Sequence, residues 1–182
     1  MNPEVFYEIE LKALLSEEQY RRLYEELPQN CKLINEETIH TTRYRPGDVR
    51  LRHSDKTLEF VCKEGDPTTI CRRERRIPVS SREKLDQIAY IFEVLGVEQD
   101  PPWTKHKREF EYVYNGFAYL ICLQHIERFA YILEVEFLSE TPDVEPHEPN
   151  LRGIIENLGL EPIDPINFRE KINKYIDENK VQ

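Results

Sequence analysis

The chain contains no apolar run near the ~20 residues that a membrane-spanning helix needs. It opens with no basic stretch leading into a short apolar one, so no secretory signal is expected, and the cytoplasm is the expected location. Its four cysteines (Cys31, Cys62, Cys71 and Cys122) are scattered with no CxxC pair, and they are expected as buried or partly buried thiols. The five histidines form no ligand-spaced set with those cysteines, which argues against a structural zinc site. Positive charge is short as well: 25 Lys and Arg stand against 35 Asp and Glu, for a net charge of −10. That balance argues against a general nucleic-acid binder, although it leaves room for a local basic pocket. There is no solenoid-type repeat and no long tract of disorder-promoting composition.

What is present suits one domain spanning 1–182. Hydrophobic residues make up 39% of the chain, a polar composition still within reach of a packed core, and ten Tyr and eight Phe supply bulk for it. The first strand is expected over Val5 to Ala13 from its alternation. Ser16 then caps a helix with Tyr20, Leu23 and Leu27 on one side, which Pro28 is expected to end. Strands follow over Lys32 to Arg45, Asp48 to His53, Lys56 to Glu64 and Thr69 to Val79, separated by Pro and Gly punctuation. Ser80 or Ser81 caps a second helix whose stripe of Leu85, Ile88, Phe92 and Leu95 reads as core, with Gly96 as its stop. Thr104 to Tyr114, Phe117 to His125 and Arg128 to Leu138 read as an antiparallel meander with a hairpin at Asn115-Gly116. The stretch from Glu140 to Pro149 reads as a surface loop. Two helices are expected after it, over Asn150 to Leu158 and Phe168 to Asn179, with Pro162 and Pro165 between them.

Roughly eight strands and four helices make an α+β fold, and a sheet of this size can remove its edges by closing into a barrel. The strands alternate in an unusual way. Glu8-Ile9-Glu10-Leu11-Lys12 places two carboxylates and an amine on one strand face, with Tyr7, Ile9 and Leu11 on the other. Glu134-Val135-Glu136 repeats the pattern with carboxylates, and Arg50-Leu51-Arg52 repeats it with guanidinium groups. For a lone strand, a solvated outer face is the ordinary explanation. The recurrence supports another: the apolar positions Ile9, Leu11, Leu51, Val135 and Phe137 point outward against helices, and the charged ones converge in a lumen. Buried charges need partners. A polyanion together with a divalent metal would supply both signs, because carboxylates suit Mg²⁺ or Mn²⁺ while Arg and Lys suit phosphate oxygens.

Glu8-x-Glu10-x-Lys12 resembles the ExExK signature of the CYTH domain, the triphosphate tunnel metalloenzymes. That family includes class IV adenylyl cyclases, thiamine triphosphatases, inorganic triphosphatases and fungal-type RNA triphosphatases. Arg50-Leu51-Arg52 resembles its paired arginines, and Lys63 its lysine before a turn. Arg72 to Arg76 resembles its RxExE strand, Lys105-His106-Lys107 its KxR strand, and Glu134-Val135-Glu136 its late ExE. The resemblance spans nearly the whole chain. It implies a closed eight-stranded antiparallel β-barrel with helices packed on the outside. It also implies Mg²⁺ or Mn²⁺ held by Glu8, Glu10, Glu134 and Glu136. A small-molecule triphosphate would be bound by Lys12, Arg50, Arg52, Lys63, Arg72, Arg76, Lys105 and Lys107. Glu8, Glu10 and Lys12 are the implied catalytic group, in a monomer or homodimer.

The chain departs from the family pattern at several points. Gln124 stands where an Asp is usual, Phe129-Ala130 where Leu-Gly is usual, Arg76 where the motif ends in Glu, and Lys107 where it ends in Arg. A slip of one residue would present His106 and Arg108 in place of Lys105 and Lys107. These changes make the lumen more basic. The resemblance therefore implies a metal-dependent triphosphatase first, a class IV-type adenylyl cyclase second, and a non-catalytic polyphosphate- or nucleotide-binding module third.

Overall fold

The computed structural model describes residues 4–180. The described residues form nine strands: β1 (Glu4–Leu15), β2 (Lys32–Arg45), β3 (Val49–His53), β4 (Leu58–Glu64), β5 (Cys71–Pro78), β6 (Glu98–Gln99), β7 (Trp103–Tyr114), β8 (Phe117–Ile126) and β9 (Ala130–Ser139). They also form four helices: α1 (Glu17–Asn30), α2 (Arg82–Val94), α3 (Glu148–Asn157) and α4 (Pro165–Asn179). The sheet runs β3-β4-β5-β1-β9-β8-β7-β2, and a further β2–β3 pairing closes it into an eight-stranded barrel. Every pairing is antiparallel. Closure leaves only the two-residue β6 outside the ring, laid against Tyr44 and Arg45 of β2.

The barrel wall has its apolar side outward. Ile9, Leu11 and Ala13 of β1 and Leu133 and Val135 of β9 are buried under Leu23 and Leu27 of α1 and Leu151, Ile154 and Ile155 of α3. Period-2 alternation on the strands meets 3.6-period stripes on the helices, and the main core lies between wall and helices. A second, smaller cluster joins Tyr44 and Leu51 of the wall to Leu85 of α2. The lumen is left to the charged positions.

Ser16 caps α1 as expected, in a reciprocal capping box with Gln19. Pro28, expected to end this helix, lies inside it, and the helix continues to Asn30. A proline there frees the carbonyl four residues back, that of Tyr24. The Arg108 guanidinium takes it up with a 2.9 Å hydrogen bond and lies 3.9 Å over the Tyr24 ring. A side chain from β7 thus replaces the missing main-chain donor. In α2, Leu95 is 70% exposed and Ile91 53%, so the stripe expected as core is only half used. Leu85 is buried and Ile88 and Phe92 pack against it, while Ile91 and Leu95 sit on the flank of the stripe. Pro165 begins α4 at its first turn behind the Asp164 cap, where the missing N–H costs nothing. The Asn115-Gly116 turn has positive φ at both residues, the geometry of the tight hairpin its sequence predicts.

One helix departs from the expected outer packing. Phe168, Arg169, Ile172, Tyr175 and Ile176 of α4 line the same cavity as the lumenal charges, so this helix lies across one mouth of the barrel.

Candidate active site

On β1, period-2 geometry turns Glu8, Glu10 and Lys12 inward. The antiparallel register with β9 sets Glu10 opposite Glu136 and Lys12 opposite Glu134. Two carboxylates directly across a ladder repel each other. The lumen compensates with cations. Lys12 Nζ lies 2.5 Å from Glu10 and 3.5 Å from Glu134. Lys63 Nζ binds Glu8 and lies 3.1 Å from Glu74, which also accepts from Arg76. Glu74, alternating with Arg72 and Arg76 on β5, is fully buried, while Arg73 and Arg75 face outward, as their alternation predicts.

The arginine side of the lumen is organised by an aspartate that the sequence reading did not single out. Asp48 accepts from Arg50 through Nε at 2.7 Å and Nη2 at 2.9 Å, and from Arg72 Nη1 at 2.8 Å. Arg72 also donates to the Lys63 carbonyl at 3.0 Å. Arg52 reaches Glu59 at 3.3 Å, and Lys107 donates to Glu109 at 2.6 Å. Lys105 has no ion-pair partner among the described residues. Lys105 and Lys107 face the lumen, so His106 and Arg108 are the outward pair of β7.

Burial and charge set the protonation of these groups. Burial alone would raise the pKa of Glu10, but Lys12 and Lys63 outweigh it and the net shift is downward. Glu134, buried beside Lys12 and Lys105, is likewise held well below the usual carboxylate range. Glu136 behaves differently. Burial pushes it up to about 7, with Lys107 opposing and the Glu8, Glu134 and Glu10 carboxylates adding to the rise. Burial and the neighbouring Lys107 bring Lys105 down to about 8. Lys63 is raised, because Glu8, Glu10 and Glu74 outweigh its burial.

All twelve residues singled out from sequence line one cavity of about 150 Å³: Glu8, Glu10, Lys12, Arg50, Arg52, Lys63, Arg72, Arg76, Lys105, Lys107, Glu134 and Glu136. They are not equivalent within it. Carboxylate oxygens of Glu8, Glu10 and Glu136 lie within 4.8 Å of one another, close enough for a single divalent ion to gather them. Glu134 lies outside that trio and is held by Gln124 and Lys12. The donor set fits Mg²⁺ or Mn²⁺, being all oxygen, and Glu136, only 3% exposed, has no hydrogen bond or ion pair among the described residues. The cavity also takes Arg43, Asp48, Trp103, Gln124, Phe129 and Arg169. Asp48 had a faint signal, two residues before Arg50 on the same face. Arg169 had none, because its place depends on how α4 docks. A larger cleft of about 770 Å³ is lined by His40, His53 and His106; it shares Lys107 with the lumenal cavity but lacks the rest of its cation cluster.

No family model matches the chain, and no curated protein sequence does. Solved structures do. A protein from Pyrococcus horikoshii superposes with a TM-score of 0.66 at 21% identity, over 85% of this chain and 91% of that one. A candidate adenylate cyclase from Vibrio parahaemolyticus gives 0.61 at 15% identity, over 85% and 90%. A candidate adenylyl cyclase from Hippeastrum, described as having a dominant triphosphatase activity, gives 0.59 at 14% identity, over 87% and 90%. Barrel and neighbours agree on the fold: the chain shares the overall architecture of these solved structures, a closed antiparallel barrel with helices outside.

Proposed function

We propose that this protein is a metal-dependent triphosphatase that hydrolyses inorganic triphosphate, a nucleoside triphosphate or another organic triphosphate inside the barrel. One observation carries the reading. A single lumen gathers the Glu8, Glu10 and Glu136 carboxylates opposite Arg50, Arg52, Lys63, Arg72, Arg76, Lys105 and Lys107. A triphosphate and a divalent ion complement these two halves. Glu8, Glu10 and Glu136 would hold Mg²⁺ or Mn²⁺, and Glu134 would orient Lys12 and Gln124. When bound, the metal would neutralise phosphate charge and help place the attacking water.

The chain's own residues supply the rest. Phosphoryl transfer needs positioning and charge neutralisation more than covalent chemistry. The arginines are rigidly placed: Asp48 fixes Arg50 and Arg72, and Glu59 fixes Arg52, leaving their other N–H groups for phosphate oxygens. Water attacks the terminal phosphorus, the bridging P–O bond breaks, the diphosphate portion departs with its charge taken up by the cations, and the proton of the attacking water passes to solvent. Lys12 and Lys63 can turn to phosphate only when something else compensates Glu10 and Glu8. Metal and triphosphate binding are therefore expected to support each other.

Adenylyl cyclase activity of the class IV type is the second reading. The neighbours' descriptions favour it, as do the aromatic Trp103, Phe129, Phe168 and Tyr175 on the same cavity, which could hold a base. The test is product analysis with ATP and with inorganic triphosphate in Mg²⁺ or Mn²⁺. Orthophosphate that depends on metal, and that Glu136→Gln lowers by about a hundredfold or more, supports the triphosphatase. Pyrophosphate with cyclic AMP supports the cyclase. Binding without turnover leaves a binding module and overturns both.

A further inference from the structure

Beyond the carboxylate trio, Glu136 faces a second set of donors. Cys122 lies opposite Glu109 on the neighbouring strand β7 and opposite Glu134 on β9, which puts Glu136 diagonally across from it. Cys122 Sγ lies 4.0 Å from Glu109 Oε1, and one donor atom each from Glu109, Cys122 and Glu136 fall within 4.8 Å of one another. Cys122 is fully buried, and Glu136 is 3% exposed with no hydrogen bond or ion pair among the described residues. Glu109 is held by Asn35 at 2.8 Å and Lys107 at 2.6 Å. An unpartnered buried carboxylate therefore stands between two donor sets of different chemistry. One is all oxygen. The other contains a thiol.

We propose that Glu109, Cys122 and Glu136 form a second metal site, selective for a thiophilic divalent ion such as Zn²⁺, Co²⁺ or Cd²⁺, which shares Glu136 with the carboxylate trio. The donor chemistry sets the selectivity: a thiolate with two carboxylates suits these ions, whereas Mg²⁺ and Mn²⁺ favour oxygen ligands alone. The spacing fits. With Zn–S near 2.3 Å and Zn–O near 2.1 Å, tetrahedral ligand atoms lie about 3.5 Å apart, so side-chain rotation of about an ångström closes the site. Binding displaces the Cys122 proton to solvent, and two carboxylates and a thiolate offset the added charge. Lys107 gives up Glu109 and is left to the phosphate side of the lumen. Because Glu136 cannot serve both ions at full strength, a thiophilic ion in this site inhibits Mg²⁺-dependent turnover. That consequence rests on the proposed triphosphatase reading, whereas the metal site itself does not.

The site is tested spectroscopically, without turnover. Metal-free protein titrated with Co²⁺ should develop a near-ultraviolet thiolate-to-cobalt charge-transfer band at one equivalent. Cys122→Ser should abolish the band. Glu109→Gln should weaken Co²⁺ affinity by about tenfold or more, at least the effect of losing a supporting residue. Glu8→Gln should keep the band, since it touches only the oxygen trio. A retained thermal transition in Cys122→Ser shows that loss of the band is not unfolding. A band that survives Cys122→Ser, or no band in the wild type, overturns the site. If the protein hydrolyses triphosphate, Zn²⁺ should inhibit the wild type, while Cys122→Ser keeps its Mg²⁺-supported rate and resists Zn²⁺. Equal Zn²⁺ sensitivity in the two overturns the regulatory consequence.

Discussion

Replacing Lys63 with methionine keeps the length of the side chain and removes its charge from the centre of the lumen. Lys63 is 9% exposed, binds Glu8, lies 3.1 Å from Glu74, and is raised in pKa by those carboxylates. Glu74 keeps Arg76, but Glu8 has no other ion pair among the described residues and is 4% exposed. The variant therefore leaves one buried carboxylate uncompensated, a change that costs about 3–5 kcal/mol when one partner of a buried pair is removed. For a chain of this size that amounts to a fall of roughly 10 °C in Tm, at about 2–4 °C per kcal/mol. The assay is urea and thermal unfolding at pH 7 in EDTA. The second substitution, Glu8→Gln in the Lys63→Met background, should recover most of the loss, because removing both partners is far cheaper than removing one. Mg²⁺ should recover part of it as well, by supplying the missing positive charge. Stability within about 1 kcal/mol of wild type for Lys63→Met in EDTA would refute the view that the lumen is a set of mutually compensating buried charges.

The raised Glu136 and lowered Lys105 predict a narrow pH range for function. Below about 7 a proton competes with metal for Glu136, and above about 8 Lys105 loses the charge that attracts phosphate, so Mg²⁺-dependent turnover should peak between them. In metal-free protein, folded Glu136 keeps a proton that the unfolded chain has released. Its contribution to stability should therefore fall as pH rises from about 4.3, the unfolded value, towards about 7, measurable by urea midpoints across that range. Arg108→Ala should destabilise by about 0.5–1.5 kcal/mol by removing the hydrogen bond to the exposed Tyr24 carbonyl beside Pro28, as read from urea midpoints, while leaving the calorimetric affinity for tripolyphosphate unchanged. Leu85→Ala should cost about 2–5 kcal/mol by opening a cavity under α2, whereas Leu95→Ser on the exposed flank should stay within about 0.5 kcal/mol, both read from urea midpoints.

The barrel was legible in the sequence because its two periodicities agree. Alternating strands such as Glu8 to Lys12 give one apolar face each, and the helices with Leu23, Leu27, Leu151 and Ile155 provide apolar stripes to cover it. Alternation alone showed only that Glu8 and Glu10 lie on the face opposite Ile9; that this face is a lumen came from the recurrence of the pattern and from the resemblance of the motifs to the CYTH signature. What was not legible depended on tertiary docking. Pro28 reads as a helix stop until Arg108, eighty residues on, supplies the missing donor. Leu95 reads as core until the width of the wall facing α2 is known. Arg169 enters the cavity only because α4 crosses the barrel mouth. The division of the four glutamates into a trio and a separate Glu134 depends on side-chain rotation within the lumen, which spacing along a strand cannot encode.

Calorimetric titration of tripolyphosphate, with and without Mg²⁺, tests the central claim most directly, using substitutions on the two faces of the wall. One-to-one binding is predicted, tighter in Mg²⁺, weakened about tenfold or more by Arg52→Met or Lys107→Met in the lumen, and unchanged by Arg73→Met or Arg75→Met on the outside. Equal losses from inner and outer substitutions, or binding that none of them alters, would contradict a triphosphate site inside the barrel.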